Sequence, residues 1–146
     1  MLLWSQETVE FSGAWDTVTG AGLDPLPIQR PIPMWIGALT NPATSVIRRI
    51  GQLADGWFVL APPEDFPALQ QRITDVATAA GRDPAAIGTE AGVAVVGPRE
   101  AEWKDRVSGW QKIGLSHLCI RTLGGGLTPQ QHLDKLEAVS KEIPGR

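Results

Sequence analysis

Pro33-Met34-Trp35-Ile36-Gly37, followed by a helix-like run that closes in Ala54-Asp55-Gly56-Trp57-Phe58, decides how this chain folds. The segment reads as strand, polar turn, helix, strand. Its strand spans Met34 to Gly37, and its helix runs from about Pro42 to Leu53 after the turn Thr40-Asn41-Pro42. Asn41 has the side chain of an N-cap, and Pro42 suits the first helical position. Ala43, Val46, Ile47, Ile50, Leu53 and Ala54 recur at helical spacing on one face. The free N–H groups at such a helix start are where a parallel α/β protein holds an anionic ligand.

The same rhythm recurs downstream. A second strand, Gly56 to Leu60, precedes Pro62-Pro63-Glu64-Asp65 and a helix with an apolar face of Phe66, Leu69, Ile73, Val76, Ala77 and Ala80, stopped by Gly81. The apolar run Val93-Ala94-Val95-Val96 places a third strand at Gly92 to Val96, covered on both faces. Its helix enters at Gly97-Pro98, buries Trp103, Val107 and Trp110, and ends near Gly114. The fourth strand is His117 to Thr122; a Gly124-Gly125-Gly126 loop leads to a helix capped by Thr128-Pro129 and lined by Leu133, Leu136, Val139 or Ser140, and Ile143.

Residues 1–31 differ from this unit pattern. Met1 to Glu7 reads as the tail of a helix, Val9 to Trp15 alternates loosely around a Ser-Gly turn, and Leu23 to Pro31 is Pro-rich and extended. The expected division is therefore a lead-in, 1–31, and four βα units, 32–146. Consecutive βα units imply a parallel sheet with right-handed crossovers. Two architectures satisfy that pattern: an open doubly wound sheet, or a segment of an eight-stranded (β/α) barrel.

Composition narrows the function classes. The chain has 146 residues, 42% hydrophobic and 20% charged, which are globular values. A net charge of −3, with 13 scattered basic residues, argues against a nucleic-acid partner. No apolar run approaches the roughly 20 residues that span a bilayer, and the N-terminus lacks the pattern of a signal peptide. The single Cys119 forms no internal disulfide, so a reducing cytoplasm is the expected location. No metal cluster, Ser/His/Asp set or carboxylate pair at helical spacing emerges.

Several blocks, in order, resemble the luciferase-like monooxygenase superfamily. They are Val9-Glu10-Phe11-Ser12-Gly13, Leu26-Pro27-Ile28-Gln29-Arg30-Pro31, Pro31 to Gly37, Leu53 to Phe58, and Ala80-Gly81-Arg82-Asp83-Pro84-Ala85-Ala86-Ile87. The resemblance implies the C-terminal half of a (β/α)8 TIM-type barrel that binds FMN or coenzyme F420, with F420 favoured. It implies hydride transfer or monooxygenation of a small organic substrate. It also implies that the first four strands lie outside this chain, so that a complete active site needs them. The alternative is a catalytically inactive half barrel, stable only as a homodimer or with the missing N-terminal half barrel as partner.

Within that resemblance, the loop Gly37-Ala38-Leu39-Thr40-Asn41 is expected to meet the cofactor phosphate through small residues, hydroxyls and helix-start amides. The bland reading makes Asn41 an N-cap and Gly37 a turn residue; Ala38-Leu39 depart from the family's usual Gly or Ser. Arg121 ends the fourth strand, where barrel active sites lie, and alternation puts it on one face with His117 and Cys119. It is expected to bind an anionic substrate or cofactor tail, or else a carboxylate of the barrel floor. His117 is expected to be a satisfied core group and Cys119 to be buried and inert. Trp57 and Phe58 either wall the ligand site or pack in the core, and the glycine loop is expected to be flexible.

Overall fold

Alternating side chains divide the central sheet into two unlike faces, and that division organises everything around it. In the computed structural model, which describes residues 2–143, strands pair in parallel in the order β3 (Trp35–Leu39), β4 (Gly56–Leu60), β5 (Gly88–Ala94) and β6 (His117–Arg121). The helices that follow them are α1 (Thr44–Leu53), α2 (Phe66–Ala79), α3 (Trp103–Ile113) and α4 (Pro129–Glu142).

Ala38, Trp57, Val59, Ala91 and Val93 point to the helices and join Ile47, Ile50, Leu69, Ile73, Val107, Trp110 and Val139 in one core. Fully burying each aliphatic side chain contributes about 1.5–3 kcal/mol. Trp57 stacks on Phe66 at 5.7 Å, and Phe66 meets Trp110 edge-on at 6.3 Å. The buried indole N–H of Trp57 is satisfied by Gln70 Oε1 at 3.1 Å.

This arrangement decides between the two architectures left open by the pattern. Helices from all four units cover one face of the sheet, and the strands follow chain order without a reversal. A doubly wound sheet reverses its order and carries helices on both faces. The four units are consecutive units of a (β/α)8 barrel.

Several element boundaries differ from the sequence expectation. β5 begins at Gly88, four residues before the expected Gly92, and it ends at Ala94 rather than Val96. Its first half, Gly88-Thr89-Glu90, sets Thr between two residues depleted in strands and is held by its neighbours: Thr89 N–H donates to Ser116 Oγ at 2.7 Å, and Ser116 Oγ donates to the Thr89 carbonyl at 2.9 Å. α3 starts at Trp103 after a 3-10 turn, Glu100–Glu102, rather than at Gly97-Pro98. α1 starts at Thr44, and its N-cap is Ala43, which makes no side-chain cap; Asn41 and Pro42 therefore precede the helix. Gly81 (φ 71°) and Gly114 (φ 84°) stop α2 and α3 as expected. Thr128 and Gln131 close a capping box at α4, but Leu133 and Leu136 on that helix are exposed and Val139 is the buried residue.

The chain forms two compact units, Met1–Pro33 and Met34–Arg146, and the first has its own small sheet. A 3-10 turn, Leu2–Trp4, stands where a helix tail was expected. β1 (Val9–Ser12) and β2 (Thr17–Ala21) form an antiparallel hairpin with a register shift between Val9 and Phe11. The sequence reading missed β2, because Thr17-Val18-Thr19-Gly20-Ala21 carries one large apolar residue and a glycine.

Arg82 explains the Ala80–Ile87 block physically. Its guanidinium donates to the carbonyls of Gly51 at 2.9 Å, Ala54 at 2.7 Å and Ile50 at 3.4 Å, capping the C-terminal end of α1 from the α2–β5 connection. A positive group there also complements the helix dipole. Arg82→Ala is expected to lower unfolding stability by about 1–3 kcal/mol, measured by urea denaturation, because it leaves half-buried carbonyls without donors.

Candidate active site at the carboxyl ends of the strands

The face of the sheet turned away from the helices carries Trp35, Gly37 and Leu39 on β3, Phe58 and Leu60 on β4, Glu90 and Gly92 on β5, and His117, Cys119 and Arg121 on β6. In a closed barrel this is the inner face. Its two ends differ sharply.

The amino-terminal end is filled by one ring. Trp35 lies across its neighbours, and a Cβ added at Gly56 or Gly88 would fall 2.6 or 2.8 Å from the indole. His117 meets the ring edge-on at 5.2 Å and Phe58 lies 5.5 Å away. His117 Nδ1 also shares a 2.9 Å hydrogen bond with Ser116 Oγ. His117 is thus committed to packing, though it is exposed rather than the core group expected. Cys119 is likewise exposed, against the expectation of burial.

The carboxyl-terminal end holds the polar groups. Leu39 and Leu60 are exposed at the ends of β3 and β4, and Thr40 and Asn41 follow Leu39 in an exposed bend. Gly37 lies on the inner face with Leu60 Cδ1 3.0 Å from where a Cβ would stand. Ala38 is buried against the helices, so only its backbone is open to a ligand. At the start of α1 the N–H groups of Val46 and Ile47 bond to the Ala43 carbonyl, while those of Thr44 and Ser45 have no acceptor among the described residues. Two free amides, four and five residues after Thr40, are donors of the kind that suits a phosphate end. Trp57 and Phe58 separate, Trp57 into the core and Phe58 onto the inner face.

Arg121 points from the end of β6 across β5. Its Nη2 lies 3.5 Å from the Gly92 carbonyl, and its Nε stands 2.6 Å from where a Gly92 Cβ would be. It makes no ion pair among the described residues, so the internal salt bridge weighed from sequence is absent there. A cavity of about 700 Å³ opens beside it, lined by Leu60, Pro62, Gly92 and the α3 side chains Arg106 and Trp110. Arg99 and Glu102 line the same cavity and pair at 2.7 Å. That hydrogen bond from Arg99 holds the exposed Glu102 carboxyl below its ordinary range. Arg106 is pushed below the usual arginine range, first by burial and then by the Arg99 charge; Glu102 opposes this and Arg121 adds to it.

Arg99, Arg106 and Glu90 were not singled out from sequence. Arg99, Glu102 and Arg106 recur at spacings of three and four, a signal of one shared face that was legible. Glu90 was hidden by the misplaced start of β5. It sits mid-sheet between Phe58 and His117 in register.

A parallel sheet with helices on one face and its polar groups at the strand ends defines a barrel-type α/β domain with an active-site end. The sequence profile of the luciferase-like monooxygenase family matches residues 1–142, and the chain belongs to that family. Among curated protein sequences none matches significantly. Solved structures with this fold include a coenzyme F420-dependent tetrahydromethanopterin reductase from Methanopyrus kandleri, with TM-score 0.67 and 16% identity over 97% of this chain and 59% of that one. An F420-dependent secondary alcohol dehydrogenase has TM-score 0.61 and 16% identity, covering 82% of this chain and 52% of its own. A monooxygenase from Streptomyces bottropensis has TM-score 0.61 and 16% identity, with 96% and 56% covered. The chain spans little more than half the length of these structures.

Gly56→Ala is expected to drive Trp35 out of its seat and lower stability by about 1–3 kcal/mol. Gly109→Ala, within α3 where nothing lies within 4 Å of the new Cβ, is expected to raise stability by about 0.5–1 kcal/mol in the same denaturation assay.

Proposed function

We propose that this chain supplies the cofactor-phosphate and substrate-anion side of a luciferase-like oxidoreductase. The observation that carries the reading is that free α1 amides after β3 and the Arg121 guanidinium on β6 both stand at the carboxyl end of one family-type sheet, on its two edge strands. Gly37 to Asn41 hold the phosphate of coenzyme F420 or FMN: Thr40 by its hydroxyl, Ala38 and Leu39 by backbone alone, and the adjoining Thr44 and Ser45 by their N–H groups. F420 is favoured, as the sequence blocks imply, and the similar structures include F420-dependent enzymes. When bound, the reduced cofactor supplies the reducing power for hydride transfer to, or monooxygenation of, a small organic substrate. Arg121 orients an anionic substrate, and Leu39 and Leu60 give the mouth apolar walls. The one cysteine suits a reducing cytoplasm.

Titration of F420 or FMN with the chain, followed by cofactor fluorescence, is expected to show saturable binding. Thr44→Pro removes one N–H donor at a position that tolerates proline, because Ala43 already has φ −58° and ψ 148°. It is expected to weaken binding about tenfold while leaving the fold intact by circular dichroism. Failure of both cofactors to bind, with the first half of such a barrel added in trans, would overturn the reading.

A second reading rests on the sheet edges. β3 and β6 each pair on one side only, and Leu39, Leu60, Leu133 and Leu136 are exposed. Unpaired edges invite pairing. The chain is then an inactive half barrel that holds together by self-association or with a partner half. Sedimentation at micromolar concentration is expected to show dimers or larger species; a stably folded monomer would rule this reading out.

A further inference from the structure

Two arginines on different elements face one cavity, and the described residues leave both without an ion pair. Arg121 comes from β6 and lies over Gly92, the inner-face glycine of β5, where any larger residue would displace it. Arg106 comes from α3, is half-buried, and has no hydrogen bond or ion pair among the described residues. Burial and then the Arg99 charge disfavour the protonated state of Arg106, and the Arg121 charge adds to them. Arg106 is half-buried and Arg121 is exposed, and an anion between two like charges offsets their repulsion. Guanidinium groups present paired donors that match the two oxygens of a carboxylate or phosphate. Acidic groups are present too. Glu102 is paired with Arg99, and Asp105 lines the rim, so the three arginines exceed the carboxylates in the cavity by one charge.

We infer that Arg106 and Arg121 clamp an oxyanion of the substrate, a carboxylate or a phosphate, in the cavity at the carboxyl ends of β4, β5 and β6. Arg99 is the outer cation, held in place by Glu102. The cavity volume of about 700 Å³ leaves room for an organic body beyond the anion, against Leu60, Pro62 and Trp110. This inference rests on the reading that Arg121 faces the substrate, and it restricts that substrate to one bearing an acidic group. Arg106 would then set specificity: a neutral substrate leaves the two guanidinium groups unneutralised, and an acidic one brings them together.

The test is an NMR titration of the arginine Nε–H signals of the full chain, with inorganic phosphate in one arm and acetate in the other. Saturable shifts of the Arg106 and Arg121 signals are expected in at least one arm. The stronger arm identifies whether the anion is a phosphate or a carboxylate. Arg106→Gln is expected to weaken that binding about tenfold. Gly92→Ala, which keeps both charges but displaces Arg121, is expected to weaken it similarly. Saturable shifts unchanged by Arg106→Gln, or no saturable shift in either arm for a chain folded by circular dichroism, would overturn the clamp. Cofactor fluorescence is read in parallel on Arg106→Gln and should be unaltered. Loss of cofactor binding with an intact anion titration would refute the functional reading alone.

Discussion

The Asp55 carboxylate accepts the N–H of Met34 at 2.8 Å, while the Asp55 N–H bonds back to the Met34 carbonyl at 2.8 Å. This reciprocal clasp sets the register of β3 on β4, so that Trp35 faces Gly56 and Ile36 faces Trp57. A slip of one residue would send Trp35 into the helices and Ala38 to the ligand side. Arg82 holds the carbonyl of the adjacent residue, Ala54. The turn between α1 and β4 is therefore fixed from two directions, and both faces of the sheet inherit their contents from it.

The inner face is shaped by where side chains are missing. Gly56 and Gly88 make the space that Trp35 fills, which closes the amino-terminal end with apolar contact. Gly92 makes the space that Arg121 crosses, which brings a strand-end guanidinium toward α3. The carboxyl end is left with Arg121, and there the start of α1 adds its free amides. Packing at one end and polar groups at the other follow from the same alternation of large residue and glycine.

Much of this was legible from residue pattern. The four βα units, the core positions Ile47, Ile50, Leu69, Ile73, Trp103, Val107 and Trp110, and the glycine stops all stand where periodicity and capping rules place them. The start of β5 was not legible, because Gly88 and Thr89 are held by hydrogen bonds to Asp55 and Ser116, far away in the chain, rather than by their own preference; α1 and α3 begin two or more residues later than the residue pattern suggests. Asn41 looked like a cap, yet the backbone extends through Ala43 before turning helical. Arg121 could be placed on its face from alternation alone. Arg106 could not be joined to it, since fourteen residues of chain separate the two and only the β5–α3–β6 crossover brings them to one cavity.

The sequence by itself determined the fold class and the family, because hydrophobic spacing, glycine and proline positions and the ordered blocks are local properties of the chain. Residue pattern alone left open whether the sheet is singly or doubly wound; the family resemblance implied the barrel, and the order of strand pairing with helices gathered on one face bears that out. The same holds for the site. Residue type could nominate Gly37, Thr40 and Arg121 as ligand groups. Which groups share a cavity depends on side-chain direction and on the vacancies left by glycine in the neighbouring strand, and those are properties of packing between segments far apart in the chain.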